Sequence, residues 1–407
     1  MRFAMQPLSQ TERDLVADID QQRMLSRTQE WAAINSGTDN LDGLAHMAEV
    51  LSQAFAALPG EVTLRDPAPV TVVDAAGNEV EKSHGQHLVC SVRPDAPRRF
   101  LLTGHMDTVF PASHPFQTLE WLDDDILNGP GTADMKGGIA VIAEALMALE
   151  TSDAAASIGY DVMINSDEET GSLSSAPLIE ALARGKIAAL TYEPSALPDG
   201  TLAHARGGSG NFTLTFTGKS AHAGRNPEDG RNAVVAAADC AVRLKSMQHD
   251  DLPINPAKIE GGAANNVVPD HAILRFNIRP KSTRAAKEFA ANLDHLIATL
   301  AKEHDLQVTM HGGISRPPKP VDSTAQKLFD LVRDTGAALG QTIGWQSTGG
   351  VCDGNNIAAN HVPVVDTMGV RGGKIHSPDE FMIAPSLTER AQLSAIVLHR
   401  LATGDTL

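Results

Sequence analysis

The sequence predicts an α/β protein, in which a large mixed sheet flanked by helices is interrupted by a smaller two-layer α+β domain. The first observation is an alternation of apolar strand-like runs with helical patterns over residues 87–194. The second is a change of texture near residue 203, after which the pattern reads β-α-β-β-α-β. The third is the length of 407 residues, which exceeds one ordinary core and indicates two domains.

The first predicted elements come before the polar motifs. Ser9 and Glu12 make a capping box at the start of a short helix. A second helix, over residues 42–58, carries apolar side chains at helical spacing. "HLVCSV" (87–92) and "RFLLTGH" (99–105) are predicted strands, and the largely apolar second one is expected at the centre of the sheet.

The next elements continue the alternation of helices and strands. They are a helix over 136–150, a strand over 158–169, a helix around 174–184 and a strand over 187–194. Polar motifs sit at the C-terminal ends of these strands. In open α/β sheets that edge is where ligands bind.

The inserted unit is predicted from a separate set of elements. They are a strand in 211–222, a helix over 231–247, strands near 257–260 and 268–278, a helix over 283–303 and a strand over 306–313. "SRPPKP" (315–320) is interpreted as the returning linker. We therefore predict a large domain in two parts, 1–206 and 316–407, with an inserted domain over 207–315.

Composition excludes several classes of protein. The chain has 33 basic and 50 acidic residues, a net charge of −17, so a nucleic-acid surface is not expected. The sequence contains no run of about 18 apolar residues, so no membrane span is predicted. The N-terminal stretch lacks the apolar centre of a signal peptide, so we expect a cytoplasmic protein.

The three cysteines do not predict a disulfide framework or a cysteine-rich zinc site, because their spacings fit neither. Cys352, in "GGVCDGNN", is predicted to be a small buried residue. The alternative of a nucleophile lacks a matched histidine partner in the sequence.

Five polar motifs that end or follow strands form the candidate site. They are "TGHMDTVFP" (His105, Asp107), "GPGTADMKGG" (Asp134), "SDEETGS" (Glu168, Glu169), "YEPS" (Glu193) and "GGKIHSPDE" (His376). Two imidazoles with several carboxylates suit zinc, cobalt or manganese. Divalent ions would also offset the repulsion within the adjacent carboxylates of the third motif.

Each element taken alone has a plainer interpretation. A single histidine after a strand is usually a hydrogen-bonded structural residue, and a run of acidic residues is usually a solvated loop. His222, in "GKSAHAG", fits a turn equally well. Arg279 fits the exposed end of a strand.

Together the motifs resemble one family, the di-zinc metallopeptidases that include glutamate carboxypeptidases, aminoacylases, acetylornithine deacetylases and succinyl-diaminopimelate desuccinylases. The resemblance covers nearly the whole chain in order. It is carried by "GHMDTVFP", "GPGTADMKGG", "SDEETGS", "EPS", "FTGKSAHAGRNPEDGRNA", "NNVVPDHAILRFNIRP" and "GGKIHSPDE". "EPS" and "RGGKIHSPDE" favour the glutamate carboxypeptidase branch.

The resemblance implies two divalent metal ions per chain, with zinc expected and cobalt or manganese as alternatives. His105 and Glu193 would hold one ion, and Glu169 and His376 the other. Asp134 would bridge the two ions, with a cis peptide bond before Met135.

The resemblance also implies catalytic and substrate-binding residues. Glu168 would be the general base, and Asp107 would orient His105. His222 would stabilise the oxyanion, reaching across from a partner subunit. The inserted domain would then be a lid and the interface of a homodimer.

Substrate carboxylates have three candidate partners. Asn266 and Arg279 resemble family residues that bind the free carboxylate, and the guanidinium fork suits that task. Arg316 is a candidate for a second substrate carboxylate.

The implied reaction is hydrolysis of an amide beside a free carboxylate. The small-molecule substrate would be a peptide, for a carboxypeptidase, or an N-acyl amino acid, for a deacylase. A metal-dependent binding protein without turnover is a further alternative, which retention of Glu168, His222 and Arg279 disfavours. A di-metal phosphoesterase is a third alternative. Such sites favour more histidines and a basic phosphate cradle, which the sequence does not show.

Overall fold

A computed structural model describes residues 7–404, which form ten α-helices and twenty strands. The helices are α1 (Gln10–Val16), α2 (Gln21–Ala32), α3 (Leu41–Phe55), α4 (Gly137–Glu150), α5 (Ala176–Ala183), α6 (Ala233–Ser246), α7 (Thr283–Glu303), α8 (Ser323–Ala338), α9 (Asp353–Ala359) and α10 (Ser386–Thr403). The strands are β1 (Glu61–Arg65), β2 (Val70–Val73), β3 (Glu79–Lys82), β4 (His87–Val92), β5 (Arg99–His105), β6 (Glu120–Trp121), β7 (Ile126–Asn128), β8 (Gly159–Asn165), β9 (Ala188–Thr191), β10 (Leu202–Arg206), β11 (Ser209–Thr217), β12 (Ala221–His222), β13 (Ile254–Gly261), β14 (Val267–Val268), β15 (His271–Ile278), β16 (Gln307–Arg316), β17 (Trp345–Thr348), β18 (Val364–Val365), β19 (Gly372–Gly373) and β20 (Phe381–Ile383).

The large sheet is mixed, as predicted. Its six strands lie in the order β1-β4-β8-β5-β9-β18. β5 runs parallel to both β8 and β9, whereas β4 runs antiparallel to β8. Leu101 and Leu102 point to opposite faces of β5, yet both are fully buried, because helices cover both faces of the sheet. This explains why the central strand is apolar without alternation.

The second sheet has its own core. Its four strands are all antiparallel, in the order β13-β15-β11-β16, and α6 and α7 pack on one face. Phe212 stacks on Phe276 with ring centroids 5.0 Å apart, and Phe289 of α7 closes the aromatic cluster. Its helices and principal strands follow the predicted β-α-β-β-α-β order, with the short β12–β14 ladder added. The domain boundaries at 206/207 and 315/316 remain predictions.

Several element boundaries differ from the sequence prediction. The strand predicted over 158–169 ends at Asn165, and Glu168–Thr170 form a short 3₁₀ turn. The reason is that the backbone N–H groups of Glu168 and Glu169 donate to the Asp107 carboxylate, both at 3.2 Å, instead of continuing a β-ladder. The helix predicted over 42–58 ends at Phe55, and the strand predicted over 187–194 is reduced to β9.

The segment predicted as a returning linker begins inside a strand. β16 continues to Arg316, three residues beyond the predicted end, because Ser209 and Arg316 pair at the start of β11. Pro317 and Pro318 follow at once and cannot donate to a ladder, so the strand stops there.

Parallel pairing positions the candidate site. Because β5, β8 and β9 run in one direction, their C-terminal ends meet at one edge of the sheet. His105 ends β5, and Glu193 lies two residues after β9. The 3₁₀ turn Glu168–Thr170, called the acidic turn below, follows β8. Within residues 7–404, no helix has both the length and the apolar composition needed to cross a membrane.

Candidate metal centre

All five predicted metal ligands are brought together in two groups. His105, Asp134 and Glu193 place one ligand atom each within 4.8 Å of one another, and so do Asp134, Glu169 and His376. The Nε2 atom of His105 lies 3.0 Å from Oδ1 of Asp134 and 3.6 Å from Oε2 of Glu193. These residues come from segments far apart in sequence, so only the fold assembles them.

The second group uses the other oxygen of the shared carboxylate. Nε2 of His376 lies 3.3 Å from Oδ2 of Asp134 and 3.1 Å from Oε2 of Glu169. Each oxygen of Asp134 therefore faces a different imidazole. The arrangement is that of a carboxylate placed between two cation sites. The cis peptide bond expected before Met135 is present, between Asp134 and Met135.

The donor set fits divalent ions. The carboxylates of Asp134, Glu168, Glu169 and Glu193 crowd into one buried region, where like charges would otherwise repel. Burial raises the pKa of Glu168 and of Glu193, and it raises the pKa of Glu169 to about 7. Imidazole nitrogens with carboxylate oxygens are ligands that zinc accepts. Two bound ions would offset this concentration of negative charge.

Neighbouring carboxylates raise the pKa of both imidazoles. Burial lowers the pKa of His105, but the carboxylates of Glu193, Asp107 and Asp134 outweigh it and hold that pKa well above its ordinary value. Hydrogen bonds to Asp134 and Glu169 raise the pKa of His376 to about 11. We therefore expect both imidazoles to be protonated at neutral pH in the metal-free chain.

Metal loading is therefore expected to release protons. An imidazole must be neutral and a carboxylate ionised to ligate, so loading should release about one proton each from His105 and His376 and, at pH 7, about half a proton from Glu169. Apparent metal affinity should fall as the pH is lowered. Isothermal titration calorimetry of the metal-free protein, in buffers of different ionisation enthalpy, measures the number released. A heat of binding that is independent of the buffer would contradict these protonation states.

Asp107 has more contacts than its predicted role requires. Nδ1 of His105 lies 3.0 Å from the backbone oxygen of Asp107 and 3.4 Å from its Oδ1, which are contacts that the predicted orienting role would use. Its carboxylate also accepts the two N–H groups of the acidic turn and the hydroxyl of Thr38 at 2.8 Å. Asp107 thus fixes Glu168 and Glu169 relative to His105.

Sequence reasoning assigned no role to Glu380. Its buried Oε1 accepts the backbone N–H groups of Ala133 and Asp134, at 3.1 and 3.0 Å. Burial raises the pKa of Glu380 to about 8. The signal available in the sequence was its position four residues after His376 in "HSPDE", but a backbone partner 246 residues away cannot be recognised from one sequence.

A cavity of about 960 Å³ opens onto the two groups of ligands. Arg279 and Arg316 line it, whereas His222 and Asn266 do not. His222 lies in β12 opposite Val267, and its side chain and that of Asn266 are exposed. Within the described residues, then, the predicted oxyanion residue is not brought to the cavity of its own chain.

Arg316 is occupied by protein partners. Only 2% of its side chain is exposed, and its two Nη atoms donate to Glu168, Ser172, Asp353 and Asn356. The geometry therefore does not leave these donors free for a second substrate carboxylate. Cys352 also lines the cavity, and burial raises its thiol pKa well above the ordinary value, which agrees with a structural role.

Comparison with known proteins gives one family. Residues 101–400 match the model of "Peptidase family M20/M25/M40". The chain is 28% identical to carboxypeptidase G2 of Pseudomonas sp. (strain RS-16) over 399 residues, covering 95% of this chain and 91% of that protein. It is 31% identical to succinyl-diaminopimelate desuccinylase of Maricaulis maris (strain MCS10) over 312 residues, covering 69% and 75%.

Solved structures agree with this fold. A tripeptidase from Staphylococcus aureus superposes with a TM-score of 0.70 at 25% identity, covering 95% of this chain and 100% of that one. An M20 family metallo-carboxypeptidase from Sulfolobus solfataricus superposes with a TM-score of 0.67 at 14% identity, covering 94% and 99%. The family match spans most of the chain and includes every candidate ligand. The chain belongs to peptidase family M20/M25/M40 and is a metal-dependent peptidase or amidohydrolase.

Proposed function

We propose that this chain is a two-zinc hydrolase that removes a C-terminal amino acid, by cleaving an amide beside a free carboxylate. The observation that carries the proposal is Asp134, whose two oxygens face His105 and His376 separately. His105, Asp134 and Glu193 would hold one ion, and Asp134, Glu169 and His376 the other. Cobalt or manganese could be held by the same donors.

Glu168 is the proposed general base. It adjoins the ligand Glu169 and lines the cavity. Bound divalent ions would supply Lewis acidity toward the scissile carbonyl and the attacking water. The Glu168 carboxylate accepts the proton of that water and later delivers it to the leaving nitrogen. Asp107 keeps this carboxylate in place through the backbone of the acidic turn.

Arg279 is the proposed partner of the substrate carboxylate. It lines the cavity, its Nε donates to Oδ1 of Asn277 at 3.0 Å, and no described residue accepts a hydrogen bond from either Nη atom. The fork of the guanidinium is thus available for a bidentate contact. Neutral donors on the same wall, such as Ser209 and Asn211, add polar contacts without further charge.

Replacing Arg279 by methionine is expected to raise KM about 100-fold for a substrate with a free carboxylate, because a charge-assisted bidentate contact is lost. The change in kcat should be smaller, since the contact is made in the ground state as well. Steady-state kinetics measure both. Arg284→Met, at an exposed position of α7, is the matched control. Equal losses on a substrate whose carboxylate is amidated would contradict the assignment.

The deacylase alternative stays open. The desuccinylase relative is 31% identical, and the carboxypeptidase relative is 28% identical over a longer stretch. Both reactions hydrolyse an amide next to a free carboxylate, so the same residues serve either one. In both substrates that carboxylate lies on the amino-acid half, so the two reactions differ only in the acyl half, which is a peptide residue for a carboxypeptidase and a simple acyl group for a deacylase.

His222 and Asn266 are proposed to act in the partner subunit of a homodimer. They are neighbours, because the N–H of Ala223 donates to the oxygen of Asn266 at 2.9 Å, and both side chains are exposed. The side chains of Val235 and Val242 on α6 are 53% and 69% exposed, so the inserted domain has apolar surface that a second copy could cover. In that dimer His222 would donate to the developing oxyanion.

A mixing experiment tests the action of His222 in trans. Glu168→Gln and His222→Ala are each expected to be inactive alone. Mixed and re-equilibrated, they should recover about a quarter of wild-type activity, because half of the dimers are mixed and each has one intact site. Activity after mixing, with the oligomeric state measured by sedimentation, gives the result. No recovery despite mixed dimers would place His222 at its own chain's site.

The proposed function itself is tested by a substrate screen on metal-loaded protein. Metals per chain are counted, and hydrolysis is measured on acyl-glutamate compounds, short dipeptides and other N-acyl amino acids, with Glu168→Ala as control. Two ions per chain, with turnover absent in the variant, would support the hydrolase and rank its substrates. Two ions without turnover of any amide would favour a binding protein, and absence of metal after repletion would overturn the proposal.

A further inference from the structure

One short segment holds both chain connections of the inserted domain. This segment, residues 353–356 at the start of α9, is called the clamp segment below. Nδ2 of Asn355 donates to the backbone oxygen of Gly207, on the outgoing connection, at 2.8 Å. It also donates to the oxygen of Pro317, on the returning connection, at 2.7 Å. Nδ2 of Asn356 donates to the oxygen of Ser315 at 2.9 Å.

Arg316 lies between these held positions and reaches the proposed base. It is the last residue of β16, so its backbone belongs to the sheet of the inserted domain. Its Nη2 donates to Oε1 of Glu168 at 2.7 Å and to Oγ of Ser172 at 2.8 Å. Its Nη1 donates to Asp353 and, at 2.8 Å, to Asn356 of the clamp segment.

Asp353 ties this arginine to the large sheet. Its Oδ2 accepts Nδ2 of Asn165, the last residue of β8, at 2.9 Å. Its Oδ1 accepts the hydroxyl of Ser172 at 2.6 Å, as well as Arg316. β8 leads into the acidic turn that carries Glu168. The contacts therefore form a closed ring, which runs from Asn165 to Asp353, to Arg316, to Glu168 and back along the chain to β8.

The ring is buried. Asn165, Ser172 and Asp353 are at most 2% exposed, and so is Arg316. Arg316 pairs with two carboxylates, those of Glu168 and Asp353. Its charge is therefore matched within the protein, and both Nη atoms already have protein acceptors. A side chain fixed in this way has lost its rotamer freedom and can hold a neighbouring group in one orientation.

We propose that Arg316 is a positioning residue for Glu168, and that Asp353, Asn355 and Asn356 couple the position of this arginine to the orientation of the inserted domain. The proposal rests on the proposed role of Glu168 as the base. Because the backbone of Arg316 belongs to β16, a rotation of the inserted domain displaces the guanidinium and, through it, the carboxylate. Substrate closure and placement of the base would then be one event.

The kinetic test compares Arg316→Met with Arg316→Lys. Arg316→Met should lower kcat about 100-fold, the effect expected of a reacting group misplaced by about 1 Å, with KM changed less than about threefold. Arg316→Lys keeps the charge, so its kcat should be about tenfold higher than that of Arg316→Met. A selective rise in KM for a substrate with a second carboxylate, relative to its amide counterpart, would overturn positioning and support substrate binding by Arg316.

A second measurement does not depend on turnover. Nitroxide labels at Arg184→Cys and Arg284→Cys, exposed positions of the large and inserted domains, report the distance between the domains by double electron–electron resonance. The three native cysteines are buried, so they should remain unlabelled. In this background, Asn355→Ala should broaden the distance distribution and lower kcat together.

Asn360→Ala is the matched control, because its amide donates to the backbone oxygen of Asn356 at the C-terminal end of α9 and reaches neither connection. It should leave both the distances and kcat unchanged. An unchanged distance distribution in Asn355→Ala would overturn the clamp. If the wild-type protein hydrolyses no amide, the proposed function fails, and the distance measurement still decides whether the clamp exists.

Discussion

Glu168→Gln is expected to lower kcat by at least about 1,000-fold, because the amide cannot accept the proton of the attacking water. Gln keeps the size of the side chain and retains an oxygen that can accept from Nη2 of Arg316. The ligand groups do not include Glu168, so two ions per chain should remain bound. Steady-state kinetics and metal analysis on the same preparation measure both quantities.

The control for this variant is Glu180→Gln, which makes the same chemical change at a half-exposed position of α5. It should retain wild-type kcat. A kcat for Glu168→Gln within about tenfold of the wild type would show that another group moves the proton. Loss of metal in Glu168→Gln would instead assign that carboxylate to the metal centre.

Asp134→Asn is expected to have the largest effect on metal content. Its two oxygens serve both ligand groups, so the substitution should remove both ions and, with them, all turnover. Glu193→Gln touches only the group of His105 and should leave one ion in place. Metal analysis after dialysis distinguishes two, one and no ions per chain.

The same variants report on stability. At a free ion concentration 100 times Kd, each occupied site should add about 2.7 kcal/mol to the free energy of unfolding. Asp134→Asn should therefore unfold at the same temperature with and without added zinc, whereas the wild type should unfold at a higher temperature when zinc is added. Asp330→Asn, on a partly exposed part of α8, is the control. Two retained ions in Asp134→Asn would contradict a bridging carboxylate.

The sequence by itself determined the fold class and the chemistry of the site. Apolar patterns predicted the buried strands β4, β5, β8 and β9 and six of the ten helices in the described residues, because side chains that face a core recur at the spacing of their element. The polar motifs predicted a metal site, the family resemblance implied His105, Asp134, Glu169, Glu193 and His376 as its ligands, and the structure brings all five together. Parallel strands deliver their C-terminal ends to one edge, so a position in the chain predicts a position in space.

Element ends and long-range polar partners could not be predicted in the same way. The acidic turn leaves the strand because the carboxylate of Asp107 accepts its N–H groups, and Asp107 lies on a different segment. Glu380 is recognised only by the backbone amides that it accepts. Such contacts carry no local pattern, since they depend on which residues the fold brings within about 3 Å.

Arg316 shows most clearly what only the tertiary structure decided. From the sequence it was a cation after a domain, and a substrate carboxylate was a reasonable partner. The fold places it between Glu168, which lies far before it in the chain, and Asp353, which lies after it. A residue's chemistry is contained in the sequence, but its partner is chosen by the close packing of distant segments, where a buried charge must be matched.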